Sequence, residues 1–229
     1  MLEHHHQQCC VWDSYKFALY SKFREPTLYR YAAQGDWDLI PDRCKSHPKE
    51  ARFVHKYAPM DTPLCRLLTT QGCASCSLDV NNNIFQMKFA AVKALLEVHV
   101  DAATARDTFQ RTPLHWACMD VEGNHGDAED SIMFMLLQRG PSATQMTDLE
   151  HRTPLHYLFA RNDTIPTKLV AKMVALFPEA LTMKDEVGDT PLDIVLSRKD
   201  EIENGDELQN SLRKLEAMFS SGGGDPRQD

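Results

Sequence analysis

Four copies of one tripeptide constrain this 229-residue chain more than any other feature. They are Thr62-Pro63-Leu64, Thr112-Pro113-Leu114, Thr153-Pro154-Leu155 and Thr190-Pro191-Leu192. The flanks repeat as well. Leu95-Leu96, Leu136-Leu137 and Met173-Val174 each begin 17 positions before the next threonine. An aspartate stands five positions before three of the threonines: Asp107, Asp148 and Asp185. Equal intervals of this kind fix the register of a repeating unit.

The chemistry of the unit follows from its residues. A threonine hydroxyl accepts a bond from an otherwise unpaired amide in a helix's first turn. Proline suits the first helical position, where its missing N–H costs nothing. The leucine then points inward. Each tripeptide is therefore expected to open a short inner helix, continued in one unit by His115-Trp116-Ala117-Cys118. A second, outer helix should follow. In the second unit its apolar stripe reads Phe85, Phe89, Val92 and Leu96, one helical face. The polar link to the next unit should project as a turn.

This pattern resembles the ankyrin repeat, a β-turn plus two helices of about 33 residues with the motif Asp-x-x-Gly-x-Thr-Pro-Leu-His. Asp185 to Leu192 matches until Asp193 takes the histidine position. Asp107 to His115 matches with Gln110 for glycine, and Asp148 to His156 with His151 for glycine. Leu28 to Trp37 is a weaker first copy, and the likeness extends to about Phe219. The resemblance implies an all-α solenoid of about five repeats including caps, with helix–turn–helix units joined by projecting β-turns or hairpins. It gives His115 and His156 a structural, hydrogen-bonding role. The glycine substitutions predict reshaped or strained turns, because that glycine normally takes positive φ. Residues 72–83 and 121–130 are read as insertions that leave the stack intact.

The chain divides into a tag-like or disordered start (1–10), an aromatic capping helix (11–23), the repeat domain (24–219) and a flexible tail (220–229). Leu208, Leu212, Leu215 and Phe219 form one stripe after a capping-box-like Asp206, as a terminal cap would. The net charge of −8 argues against a general nucleic-acid binder, and no apolar run is long enough to span a membrane. Residues 1–115 carry +2 and residues 116–229 carry −10, a field that would act on association rate more than on fold. Seven irregularly spaced cysteines with no leader before them suit a reduced, intracellular and cytoplasmic protein.

The remaining chemistry is sparse. Cys73-x-x-Cys76 lacks the second ligand pair of a structural zinc site and the strand–helix setting of a redox motif. The acidic loop 120–130 does not have calcium-loop spacing. Met133-Phe134-Met135 falls on an outer helix and is read as core. No catalytic, metal or cofactor site is expected. The resemblance implies a monomer that recognises a protein partner. The rival readings are a metal- or redox-responsive Cys73/Cys76 loop, or a regulatory fragment of a larger enzyme.

The partner surface is expected at positions that folding leaves free. These are Thr108, Phe109, Arg111, Met119 and Asp120; Leu149, Glu150, Arg152, Ala160 and Arg161; and Glu186, Val187, Asp189 and Arg198. Aromatics and arginines are enriched in binding hot spots. Phe109 is thus the first choice, with Arg111, Arg152 and Arg161 expected to line up and meet partner carboxylates in fork geometry.

Overall fold

The computed structural model describes residues 25–55, 62–70, 82–119, 131–161, 165–198 and 213. The described residues are helical, with no strand among them. The helices are α1 (Thr27–Gln34), α2 (Ile40–Ser46), α3 (Pro63–Thr69), α4 (Asn82–Val98), α5 (Pro113–Met119), α6 (Ile132–Arg139), α7 (Pro154–Arg161), α8 (Thr167–Leu176) and α9 (Pro191–Arg198). The inner helices α1, α3, α5, α7 and α9 pack in succession, and the outer helices α2, α4, α6 and α8 form a second layer behind them. Five units therefore stack in chain order, as the repeat interval requires.

Each Thr-Pro-Leu opens an inner helix. The Thr62 hydroxyl accepts from the Cys65 amide at 3.2 Å, the cap that shields α3's first turn. Ser131 does the same for α6 through the Phe134 amide, also at 3.2 Å. Leu64, Leu114 and Leu155 are fully buried between units, as are Leu95-Leu96 and Leu136-Leu137. Met133 is core, with Phe134 and Met135 packed beside it. Burying a leucine fully is worth about 1.5–3 kcal/mol, so the repeated leucines dominate the stack's cohesion.

The first unit departs most from the motif and is secured differently. Glu50 Oε2 accepts from the Leu28 amide and from Arg43 Nε, both at 3.0 Å. The Arg43 bond holds the Glu50 carboxyl below its ordinary pKa, against partial burial. Gly35, in left-handed conformation at φ 81°, ends α1. Between later units, Gly140 is required by contact: a Cβ there would lie 2.9 Å from Ala103 Cβ and Thr104 Cγ2.

Two packing expectations are corrected. Leu192 is 45% exposed and Leu196 48%, not buried as the motif's leucine is in the earlier units. On α4, Phe85 and Phe89 are only half-buried, whereas Lys88 is buried. The Lys88 ammonium sits 5.5 Å from the Trp37 ring centroid and donates to the Leu68 carbonyl at 3.4 Å. Packing its stem while pairing its charge lets it take a core position. The segments 1–10, 11–23 and 220–229, the 206–219 stripe, Asp120, loop 121–130 and the Cys73/Cys76 pair lie outside the described residues.

Candidate partner-binding site

The three projecting turns share one construction. Asp107, Asp148 and Asp185 each fold their carboxylate back onto the amides of their own turn. Asp107 Oδ1 accepts from Phe109 N and Arg111 N at 2.8 Å. Asp148 Oδ1 accepts from Glu150 N and Arg152 N at 2.9 Å. Asp185 Oδ1 accepts from Val187 N and Asp189 N at 3.0 Å and from Gly188 N at 3.1 Å. Gly188 sits at φ 100°, and Gln110 and His151 take the same left-handed region at 62° and 60°. The turn therefore keeps its glycine geometry without the glycine, and the two substituted positions carry the strain.

Adjacent turns are tied tip to tip. The Leu149 amide donates to the Phe109 carbonyl at 3.1 Å, and the Glu186 amide to the Glu150 carbonyl at 2.9 Å. Below the tips, the histidines lock each turn to the next helix. Thr112 N–H donates to His115 Nδ1 at 3.0 Å, so the ring proton sits on Nε2. Nε2 donates in turn to the Arg152 carbonyl of the following unit at 3.1 Å. Burial pushes the His115 pKa down to about 4, against the pull of that carbonyl. His115 is thus a neutral structural ring, the role the motif implied.

His156 repeats only half of this. Its Nδ1 accepts from Thr153 N at 3.0 Å, but its buried Nε2 makes no hydrogen bond. Burial lowers its pKa, and the Asp189 and Met183 backbone beside the ring opposes that. In the last unit Asp193 stands in for the histidine toward threonine alone. Its Oδ2 accepts from Thr190 N at 2.9 Å and Thr190 Oγ1 at 2.7 Å.

Arg111 and Arg152 do not stand free as a fork for a partner. Arg111 Nε lies 3.5 Å from Asp148 Oδ2 in the next turn. Its guanidinium sits among the rings of Phe109, Trp116 and Tyr157 at 4.9, 5.2 and 5.3 Å. Arg152 Nε donates to Asp185 Oδ2 at 3.2 Å, and its Nη1 pairs with Glu150 at 2.6 Å. Both arginines are spent joining turns. Burial works against the Asp148 charge, but the Tyr157 hydroxyl and the Arg152 and Glu150 amides hold its pKa low. Burial also leads for Tyr157, which with Asp148 beside it is pushed up to about 12. Arg198 Nη1 closes the end of α7 by donating to the Phe159 carbonyl at 2.7 Å. Of the four, only Arg161 is exposed with no partner among the described residues.

The tips themselves remain open. Phe109 is 41% exposed, Leu149 62% and Val187 76%. Thr108, Glu186 and Asp189 are exposed beside them, and Met119 and Ala160 are half-buried at the inner-helix ends. No group of three or more His, Cys, Asp and Glu able to hold a metal occurs among the described residues. Cys44, Cys65 and Cys118 are buried. Burial pushes the Cys44 thiol up to about 11 and Cys118 higher still, so neither is poised as a nucleophile. No described helix is long and apolar enough to cross a membrane.

Stacked helix pairs with projecting, hydrogen-bonded turns define a helical-repeat protein. Comparison with known families agrees: the ankyrin repeat model matches residues 109–148, which run from one turn tip through α5 and α6 to the aspartate of the next turn. Residues 109–148 are thus an ankyrin repeat set in a stack of similar helix pairs, and such repeats serve in general as protein–protein interaction scaffolds, typically without catalysis of their own. No curated protein matches the chain.

Proposed function

We propose that this protein is a protein-recognition scaffold that binds its partner along the turn tips and the adjoining concave face of the inner helices, in an intracellular, cytoplasmic setting. One observation carries the reading. Three successive tips expose a large apolar side chain, Phe109, Leu149 and Val187. Scattered exposed apolar residues need no explanation, but a row on a hydrogen-bonded edge is what an interface core requires. Rigid tips also lower the ordering cost of association.

Arg111 and Arg152 contribute by holding that edge in place, not by meeting the partner directly. The test is affinity capture from the native cell with wild type and with Phe109→Ser, Leu149→Ser and Val187→Ser combined. Leu149 and Val187 face solvent and Phe109 gives up only its contact with the Arg111 guanidinium, so circular dichroism should be unchanged and melting fall only slightly while a specifically captured protein is lost. Retained capture by the folded triple variant would move the interface elsewhere.

A further inference from the structure

The later turn aspartates each serve two units at once, one oxygen to each. Asp148 Oδ1 accepts from the Glu150 and Arg152 amides of its own turn, while Oδ2 takes the Tyr157 hydroxyl at 2.6 Å and faces Arg111 of the preceding turn at 3.5 Å. Asp185 repeats the division. Its Oδ1 closes its own turn on the Val187, Gly188 and Asp189 amides, and its Oδ2 accepts from Arg152 Nε of the turn before. Arg111 and Arg152 are divided likewise: the amide rests on the aspartate of its own turn and the side chain on the next. The result is an unbroken chain, Asp107–Arg111–Asp148–Arg152–Asp185, running across the three tips. The Asp148 and Asp185 side chains are only 1% and 2% exposed, so salt does little to loosen the pairs.

Resting on the recognition edge proposed above, we infer that this chain of pairs couples the three tips, with Arg152 as the positioning residue at its joint, so that order at one tip is passed to the others. Four contacts meet on Arg152. Its amide is on Asp148, its carbonyl takes His115 Nε2, its Nε is on Asp185 and its Nη1 on Glu150. Only the Nε bond carries the chain onward to the third turn; the Glu150 contact stays within the second. For a partner, the coupling presents Phe109, Leu149 and Val187 as one surface. A contact that orders the first tip lowers the ordering cost at the third.

The test reads the coupling with no partner present. Amide hydrogen exchange is followed by NMR on the full chain for wild type, Arg111→Gln, Arg152→Gln and the double variant, with Glu150→Gln as a control off the chain of pairs. The Arg111 side chain pairs with the second turn, yet its loss should quicken exchange at Val187, Gly188 and Asp189 in the third by about threefold or more. In the Arg152→Gln background the same change should add nothing there, because the link is already cut. Coupling is reciprocal, so Arg152→Gln should also quicken Phe109 and Arg111 in the first turn. Glu150→Gln should leave Val187, Gly188 and Asp189 at their wild-type rates. The buried Leu95 and Leu96 on α4 report global opening, and their amides should shift less than the turns in every variant.

Third-turn rates unmoved by Arg111→Gln, or two single effects that simply multiply in the double variant, overturn the coupling and leave three independent turns. An equal rise at turns and core also overturns it, since loss of overall stability does the same. Should Arg152→Gln fail to fold, the Arg111→Gln variant decides alone, by its third-turn rates against those of α4. Whether the tips bind a partner is judged separately, by whether the serine triple variant loses capture.

Discussion

Acidification isolates the contribution of one histidine to the stack. His115 is fully buried, accepts from Thr112 on Nδ1 and donates from Nε2 to Arg152, so a second ring proton has no place without breaking the Thr112 bond. Its folded pKa is about 4, against about 6.5 for the unfolded ring. Above pH 6.5 both states hold the neutral ring, and its contribution is fully present. As pH falls from there toward 4, the unfolded state takes up a proton that the folded state refuses, so stability declines. Between pH 7 and pH 5 the two pKa values give a loss of about 2 kcal/mol from this ring alone.

His156 and His99 are shifted down as well and act with the same sign. Asp148 and Asp185, held below the ordinary aspartate range, lose their contribution only at lower pH, near and below about 4. The assay is urea unfolding at pH 7 and pH 5 for wild type and His115→Asn. Asparagine keeps an acceptor for Thr112 but does not titrate. The variant should be less stable at pH 7 by about 1 kcal/mol for the lost bond to Arg152, yet lose about 2 kcal/mol less than wild type on going to pH 5. Equal losses in the two proteins would refute the assignment of the buried neutral ring.

Two further substitutions probe packing and backbone. Leu114→Ala, at a fully buried site between units, should cost about 2–5 kcal/mol. Because stability is shared between nearest neighbours, hydrogen exchange should quicken in α3 and α7 as well as α5; an unchanged urea midpoint would show the register to be wrong. His151→Gly should stabilise the fold by up to about 1 kcal/mol in urea unfolding, since it relieves left-handed strain at φ 60° and removes a side chain with no hydrogen bond among the described residues. Gln110→Gly should gain less, because Gln110 Oε1 accepts from Arg106 at 3.0 Å; destabilisation at both sites would mean that the positive φ is not strained.

The repeat was legible because its determinants are local. A capping threonine, a proline at the first helical position and a leucine at the second act within one turn of helix, and the fixed interval between copies set the register of α3, α5, α7 and α9. The features that escaped were set by neighbours distant in sequence. Lys88 falls on the inward face of α4, yet no local pattern shows that Trp37, 51 residues earlier, receives its charge. Leu192 carries the same motif as Leu114, yet it is 45% exposed where Leu114 is fully buried. A motif specifies which way a side chain points within its unit; burial also needs the next unit.

The arginines show how such non-local information is nonetheless encoded. Within one unit, the residue before each threonine has no structural duty, and Arg111 and Arg152 look free for a partner. Their carboxylates lie 37 and 33 residues onward, at Asp148 and Asp185. Across the three turns built on Asp107, Asp148 and Asp185 a pattern is visible: arginine holds this position in the first two, each facing the aspartate of the next turn, and Asp189 replaces it in the third. Among the described residues, tip-to-tip ion pairing therefore stops before Asp189, and the histidine bridge has no counterpart at Asp193, which serves Thr190 but has no proton to donate onward. The first of these replacements leaves the exposed Asp189 carboxylate without a partner among the described residues, whereas Asp193 is held by Thr190.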